Sequence, residues 1–159
     1  MLRIHLRSLA ALTANLVRKL FIVLPSERGR EIVRGYVDVD SIASALPFEA
    51  VMIHLPNNTL GSYGMYLETY RLSEAAGDGL DYYIFSEDDY VPMRPRFDEA
   101  LVRMYKHTFG DGDGVLCGVL QGQPVEPQSK FKLHAESSHI MSARTIRHVY
   151  ERTYGPRAR

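Results

Sequence analysis

Several things are scarce in this chain, and each scarcity excludes something. One cysteine in 159 residues, Cys117, rules out an internal disulfide and fits a reducing compartment. Neither sign of charge is in excess: nineteen basic residues face nineteen acidic ones. A nucleic-acid binder normally carries a basic surplus, so no nucleic-acid partner is expected. No apolar run approaches the roughly 20 residues that a membrane-spanning helix requires. What is present is an ordinary globular composition, 45% hydrophobic and 24% charged, without repeats or an internal linker. A single domain over 1–159, cytoplasmic in location, is the expectation.

Acidic residues are also missing between Met1 and Ser26, where Arg3, Arg7, Arg18 and Lys19 are basic. Leu6, Leu9, Ala10, Leu16, Val17 and Leu20 recur at helical spacing, so residues 1–19 read as a basic amphipathic helix. Packing on a sheet with the cations outward is the ordinary expectation for it. Peripheral membrane contact through this helix is the alternative.

Beyond it, short apolar runs alternate with helical patterns. Leu20 to Leu24, closed by Pro25, reads as a buried strand, and Ala50 to Leu55 as a second. The polar turn Asn57 to Ser62 follows, then a helix with Tyr63, Tyr66, Leu67 and Tyr70 on one face, stopped by Gly77 and Gly79. Asp81 to Ser86 is the clearest strand. Phe97, Ala100, Leu101, Met104 and Tyr105 mark a helix, Gly110 to Gly114 breaks it, and Val115 to Leu120 is the next strand. His134 to Met141 is expected to be extended, with Ser142 capping a last helix through Tyr150. Strands apolar on both faces alternating with helices predict an α/β fold with a mainly parallel sheet, and ligands in such sheets bind beyond the strands' carboxyl ends.

Two strand ends carry polar clusters: Asn57 to Ser62, and Glu87-Asp88-Asp89. Three consecutive carboxylates after an apolar strand repel one another unless a cation neutralises them. Carboxylate oxygens are hard donors suited to Mg²⁺ or Mn²⁺, and magnesium completes its shell with water and phosphates. A solvated acidic turn is the plain alternative. Arg28-Gly29-Arg30 lacks phosphate-loop spacing. Gly110 to Gly114 lacks the ligand ladder of a calcium loop and reads as a turn. Cys117 reads as core.

The strand Tyr82 to Ser86 running into Glu87-Asp88-Asp89 resembles the strand and acidic motif of GT-A glycosyltransferases. The similarity covers roughly Leu20 to Tyr150. It implies a single Rossmann-like, mainly parallel sheet flanked by helices. It also implies Mn²⁺ or Mg²⁺ as cofactor, a nucleotide-sugar donor, and a glycan or lipid-linked acceptor. Asp89 would be the direct metal ligand, with Asp88 and Glu87 acting through water or on the donor's ribose or sugar. His139 is a further candidate ligand for metal or phosphate. Asn57, Asn58 and Gly61 resemble the turn that approaches the donor. Glu136, shortly before the last helix, matches the placement of a general base, so Glu136 and Asp88 are the candidate catalytic residues. Helix capping explains Asn58 and Ser62 equally well, and a surface loop explains Glu136 and His139. The chain departs from the family in opening on a helix rather than a strand, and in being shorter. A non-catalytic GT-A-like module that binds a glycan or protein, and a sugar nucleotidyltransferase, are the other functions that fit.

Overall fold

The computed structural model describes residues 2–12, 14–24, 41, 44–55, 61–87, 91–117 and 138–155. The apolar runs become strands. β1 (Lys19–Leu24) and β2 (Glu49–His54) pair in parallel, with Lys19 opposite Glu49 and Leu24 opposite His54. β3 (Tyr82–Ser86), β4 (Val115–Cys117) and β5 (Ser138–Ser142) form a second sheet in the order β3-β5-β4. Both of its pairings are antiparallel.

The fold is therefore mixed α/β, as expected. Among the described residues, however, the strands form a parallel pair and an antiparallel triple, not one mainly parallel sheet. The difference arises at β5. Its first four residues are all buried, which suits the central place between β3 and β4. An apolar pattern specifies burial and says nothing of direction, and β5 runs opposite to both neighbours.

Four helices are described: α1 (Leu2–Ala11), α2 (Gly61–Ala76), α3 (Phe97–Phe109) and α4 (Ala143–Tyr154). α1 ends well before the expected Lys19. The backbone amides of Leu16 and Val17 donate to Asp98 Oδ2 at 2.6 and 3.2 Å, and the Asn15 side chain donates to Glu99. These amides serve α3 instead of an i−4 carbonyl, so the helix cannot continue, and Lys19 already lies in β1. The apolar face of α1 is used inside the fold: Leu6 packs with Ile22 and Leu24. No helix among the described residues is long and apolar enough to cross a membrane.

α3 carries Asp98 and Glu99 in its first turn and Lys106 and His107 in its last, matching the helix dipole at both ends. Ser142 caps α4 by accepting from the Thr145 amide at 3.1 Å. The main core lies on one face of the second sheet. Leu67 and Tyr70 of α2 and Ile146 and Tyr150 of α4 pack there on Tyr83, Phe85 and Met141. On the opposite face Tyr105 of α3 is 1% exposed, and its hydroxyl meets the Gly114 carbonyl, Ser142 Oγ and Thr145 Oγ1 within 3.3 Å. That contact closes the Gly110 to Gly114 segment, a turn in which Gly112 N donates to the Phe109 carbonyl. Asp113 in it is engaged by Arg144 and His148. Cys117 is half-buried in β4, and burial pushes its thiol pKa up, away from thiolate chemistry.

Candidate functional site

The aromatic strand β3 is anchored by burial, and its last residue, Ser86, is exposed. The chain therefore emerges from the core at Glu87, which is half-buried. α2 begins beside that point. Gly61 opens the helix at φ +60, a left-handed conformation that glycine adopts without a Cβ penalty. The next residue, Ser62, donates from its hydroxyl to Glu87 Oε1 at 3.3 Å. Ser62, the last residue of the polar turn read from the sequence, and Glu87, the first of the acidic motif, are thus in direct contact across 25 residues. The first-turn amides of a helix carry partial positive charge, so a carboxylate belongs there and phosphate oxygens would be attracted too.

β5 starts at the same place. Ser138, its first residue, is the Cα partner of Ser86, and His139 that of Phe85. His139 is 4% exposed and lies edge-on to Tyr66 with centroids 5.1 Å apart, and 5.0 Å from the Phe85 ring. The structure thus places this candidate ligand within the aromatic layer between α2 and the sheet.

Of the site residues read from the sequence, Gly61 and Glu87 come together through Ser62, with His139 one residue into the neighbouring strand. Asn57, Asn58, Asp88, Asp89 and Glu136 lie outside the described residues. The part of Ser62 was only half legible. Its position at a helix start suggested a cap, whereas its hydroxyl binds the carboxylate of a distant segment.

The opposite end of the sheet differs in character. Tyr83 OH donates to Ser73 Oγ at 3.1 Å, Ser73 donates to Asp78 Oδ2 at 2.9 Å, and Lys19 Nζ donates to Asp78 Oδ1 at 2.6 Å. Burial pushes the Tyr83 phenol up to about 12, keeping it a neutral donor. Lys19 holds the Asp78 carboxyl below its ordinary value. Each member of this chain has its partner, and together they tie β1, α2 and the start of β3. The Glu87 end, by contrast, offers a hard oxygen donor and a helix N-terminus. Glu87 suits Mg²⁺ or Mn²⁺ in kind, although no group of three ligands is assembled among the described residues.

No protein-family model matches the chain, no curated protein matches it, and no solved structure matches it.

Proposed function

We propose that the chain is a metal-dependent glycosyltransferase module whose donor site lies where β3 ends and α2 begins. The observation that carries this reading is the Ser62–Glu87 hydrogen bond, which brings the last residue of the polar turn to the first residue of the acidic motif at the end of β3. Strand carboxyl ends are where open α/β sheets bind ligands, and a helix N-terminus favours a diphosphate. In this reading β1 and β2 belong with β3, β5 and β4 to one Rossmann-like sheet.

Glu87, Asp88 and Asp89 would hold Mn²⁺ or Mg²⁺, which supplies Lewis-acid neutralisation of the departing nucleoside diphosphate. The first-turn amides of α2 would orient the donor's phosphates. Ser62 fixes the Glu87 carboxylate so that it need not be ordered when the donor arrives. Glu136, two residues before β5 in sequence, would take the proton from the hydroxyl of a glycan or lipid-linked acceptor.

The test is phosphorus NMR of the chain with UDP-, GDP-, CMP- and TDP-sugars, each with and without Mn²⁺. Metal-dependent release of the free nucleotide from one donor class, abolished in Asp89→Ala, is the expected result. A folded chain that consumes none of the donors contradicts the transferase reading, as does net formation of nucleotide sugar from sugar phosphate and nucleoside triphosphate.

A further inference from the structure

The seam between α2 and α4 carries a row of tyrosines. Arg147 of α4 donates to the Tyr70 hydroxyl at 3.1 Å and to Glu74 at 3.2 Å. Tyr150, the next α4 side chain along the seam, packs its ring 5.6 Å from that of Tyr70. Tyr154 in turn packs its ring 5.0 Å from Tyr150. At this level of α2 stands Tyr63: burial raises the pKa of its phenol, a hydrogen bond with Thr153 opposes the rise, and the Tyr154 phenol adds to it. As α4 advances, its partners on α2 therefore move back toward the start of that helix. The two helices are antiparallel, and Tyr154 lies at the N-terminal end of α2.

Burial divides the row. Tyr70 and Tyr150 are 4% and 6% exposed, whereas Tyr63 and Tyr154 are 43% and 47% exposed. Core packing accounts for the first pair and not for the second. Apolar side chains scattered singly over a surface need no explanation. These two are not scattered: among the described residues they are the only aromatic side chains so exposed, and they meet at one end of the fold. It is the end where Ser62, the residue before Tyr63, donates to Glu87. Arg152 and Thr153, which precede Tyr154, are exposed as well, so the surroundings are polar.

We infer that Tyr63 and Tyr154 form an open aromatic shelf for a sugar ring of a glycan acceptor, at the end of the fold that receives the donor. The inference rests on the transferase reading of the Glu87 end and names its acceptor. A tyrosine offers a flat apolar face with a hydroxyl at its rim. A pyranose has the complementary make-up, with C–H groups on its face and hydroxyls around its edge. An acyl chain would leave the phenol hydroxyls without a partner and would lie among Arg152 and Thr153 rather than in apolar surroundings. Two rings on the rigid ends of packed helices are also held in place before the sugar arrives, which lowers the ordering cost of binding.

NMR of the full chain with isotope-labelled tyrosine tests it, with cellotriose, maltotriose and chitotriose as probes and no nucleotide present. At least one trisaccharide shifts the ring signals of Tyr63 and Tyr154 saturably and leaves those of Tyr70 and Tyr150 in place. Tyr63→Leu and Tyr154→Leu each weaken that binding about tenfold or more, and Tyr154→Phe, which keeps the aromatic face, retains it. Both positions are exposed, so the urea midpoints of the variants stay near that of wild type. No shift with any trisaccharide, undiminished binding in both leucine variants, or equal shifts with dodecanoate or uridine would each overturn the proposal. Its failure is distinct from that of the donor site. Nucleotide binding without trisaccharide binding removes the shelf alone, whereas trisaccharide binding without nucleotide binding removes the transferase reading and leaves a glycan-binding shelf.

Discussion

Asp98→Ala perturbs the contact that stops α1 and launches β1. Asp98 is 1% exposed, and its Oδ2 accepts from the amides of Leu16 and Val17, more than 80 residues away. Hydrogen bonds to a charged acceptor contribute about 1.5–3 kcal/mol each, and an orphaned buried amide costs about 1–3 kcal/mol. Leu16 is half exposed, so water can replace the lost acceptor there, which discounts one of the two bonds. The expected cost is about 3 kcal/mol. At about 2–4 °C per kcal/mol for a chain of this size, Tm falls by about 6–12 °C. Asp98→Asn behaves differently. Among the described residues Oδ1 has no partner, so the amide nitrogen can take that side while the oxygen still accepts both amides. Its cost is about 1 kcal/mol. Urea denaturation of the three proteins, with exchange rates at the Leu16 and Val17 amides, makes the comparison. An alanine variant within about 1 kcal/mol of wild type, or an asparagine variant as unstable as alanine, refutes the reasoning.

Three other outcomes are expected. Ile146 is 1% exposed in the main core, so Ile146→Ala costs about 2–5 kcal/mol, read as a lower urea midpoint at unchanged slope. Gly61→Ala meets no atom within 4 Å and costs only the strain of φ +60, about 1–2 kcal/mol, in the same titration. A loss above about 4 kcal/mol would mean that the helix start is packed rather than merely strained. The Lys19–Asp78 pair makes stability depend on pH at both extremes. Asp78 is lowered from its ordinary 3.8 by Lys19 and, secondarily, by Ser73, so its contribution is present above that value and lost as pH falls through the folded one. Lys19 is raised from 10.5, mainly by Asp78, so its contribution is present below 10.5 and lost as pH rises further. The difference in Tm between wild type and Asp78→Asn is therefore widest between these limits and narrows in acid.

Most elements were legible because their periods are strong. β1, β2 and β3 fall within a residue of the apolar runs that announce them, and Ser142 caps α4 as its type and place suggest. The errors have physical causes. Leu16, Val17 and Leu20 continue the spacing of Leu6 and Leu9, but Asp98 takes the amides that a helix there would need. Met104 fits the face of α3 and is 54% exposed, whereas Tyr105 beside it is buried, a choice set by what packs on the helix. The direction of β5 has no signature in its composition. At the site, the acidic strand end and the polar turn were readable separately. Their meeting through Ser62 depends on where α2 lies relative to β3, which only the tertiary structure supplies.

Ligand-dependent thermal stability tests the donor-site claim most directly. Wild type and Asp89→Ala are melted with UDP, GDP, CMP and TDP, each with and without Mn²⁺. A nucleotide bound only by the native state at 100 times its Kd stabilises it by about 2.7 kcal/mol, a shift of about 5–11 °C for a chain of this length. The account predicts such a shift for one nucleotide, dependent on Mn²⁺ and absent in Asp89→Ala. A well-folded chain that no nucleotide stabilises, or a shift that survives loss of Asp89, contradicts it.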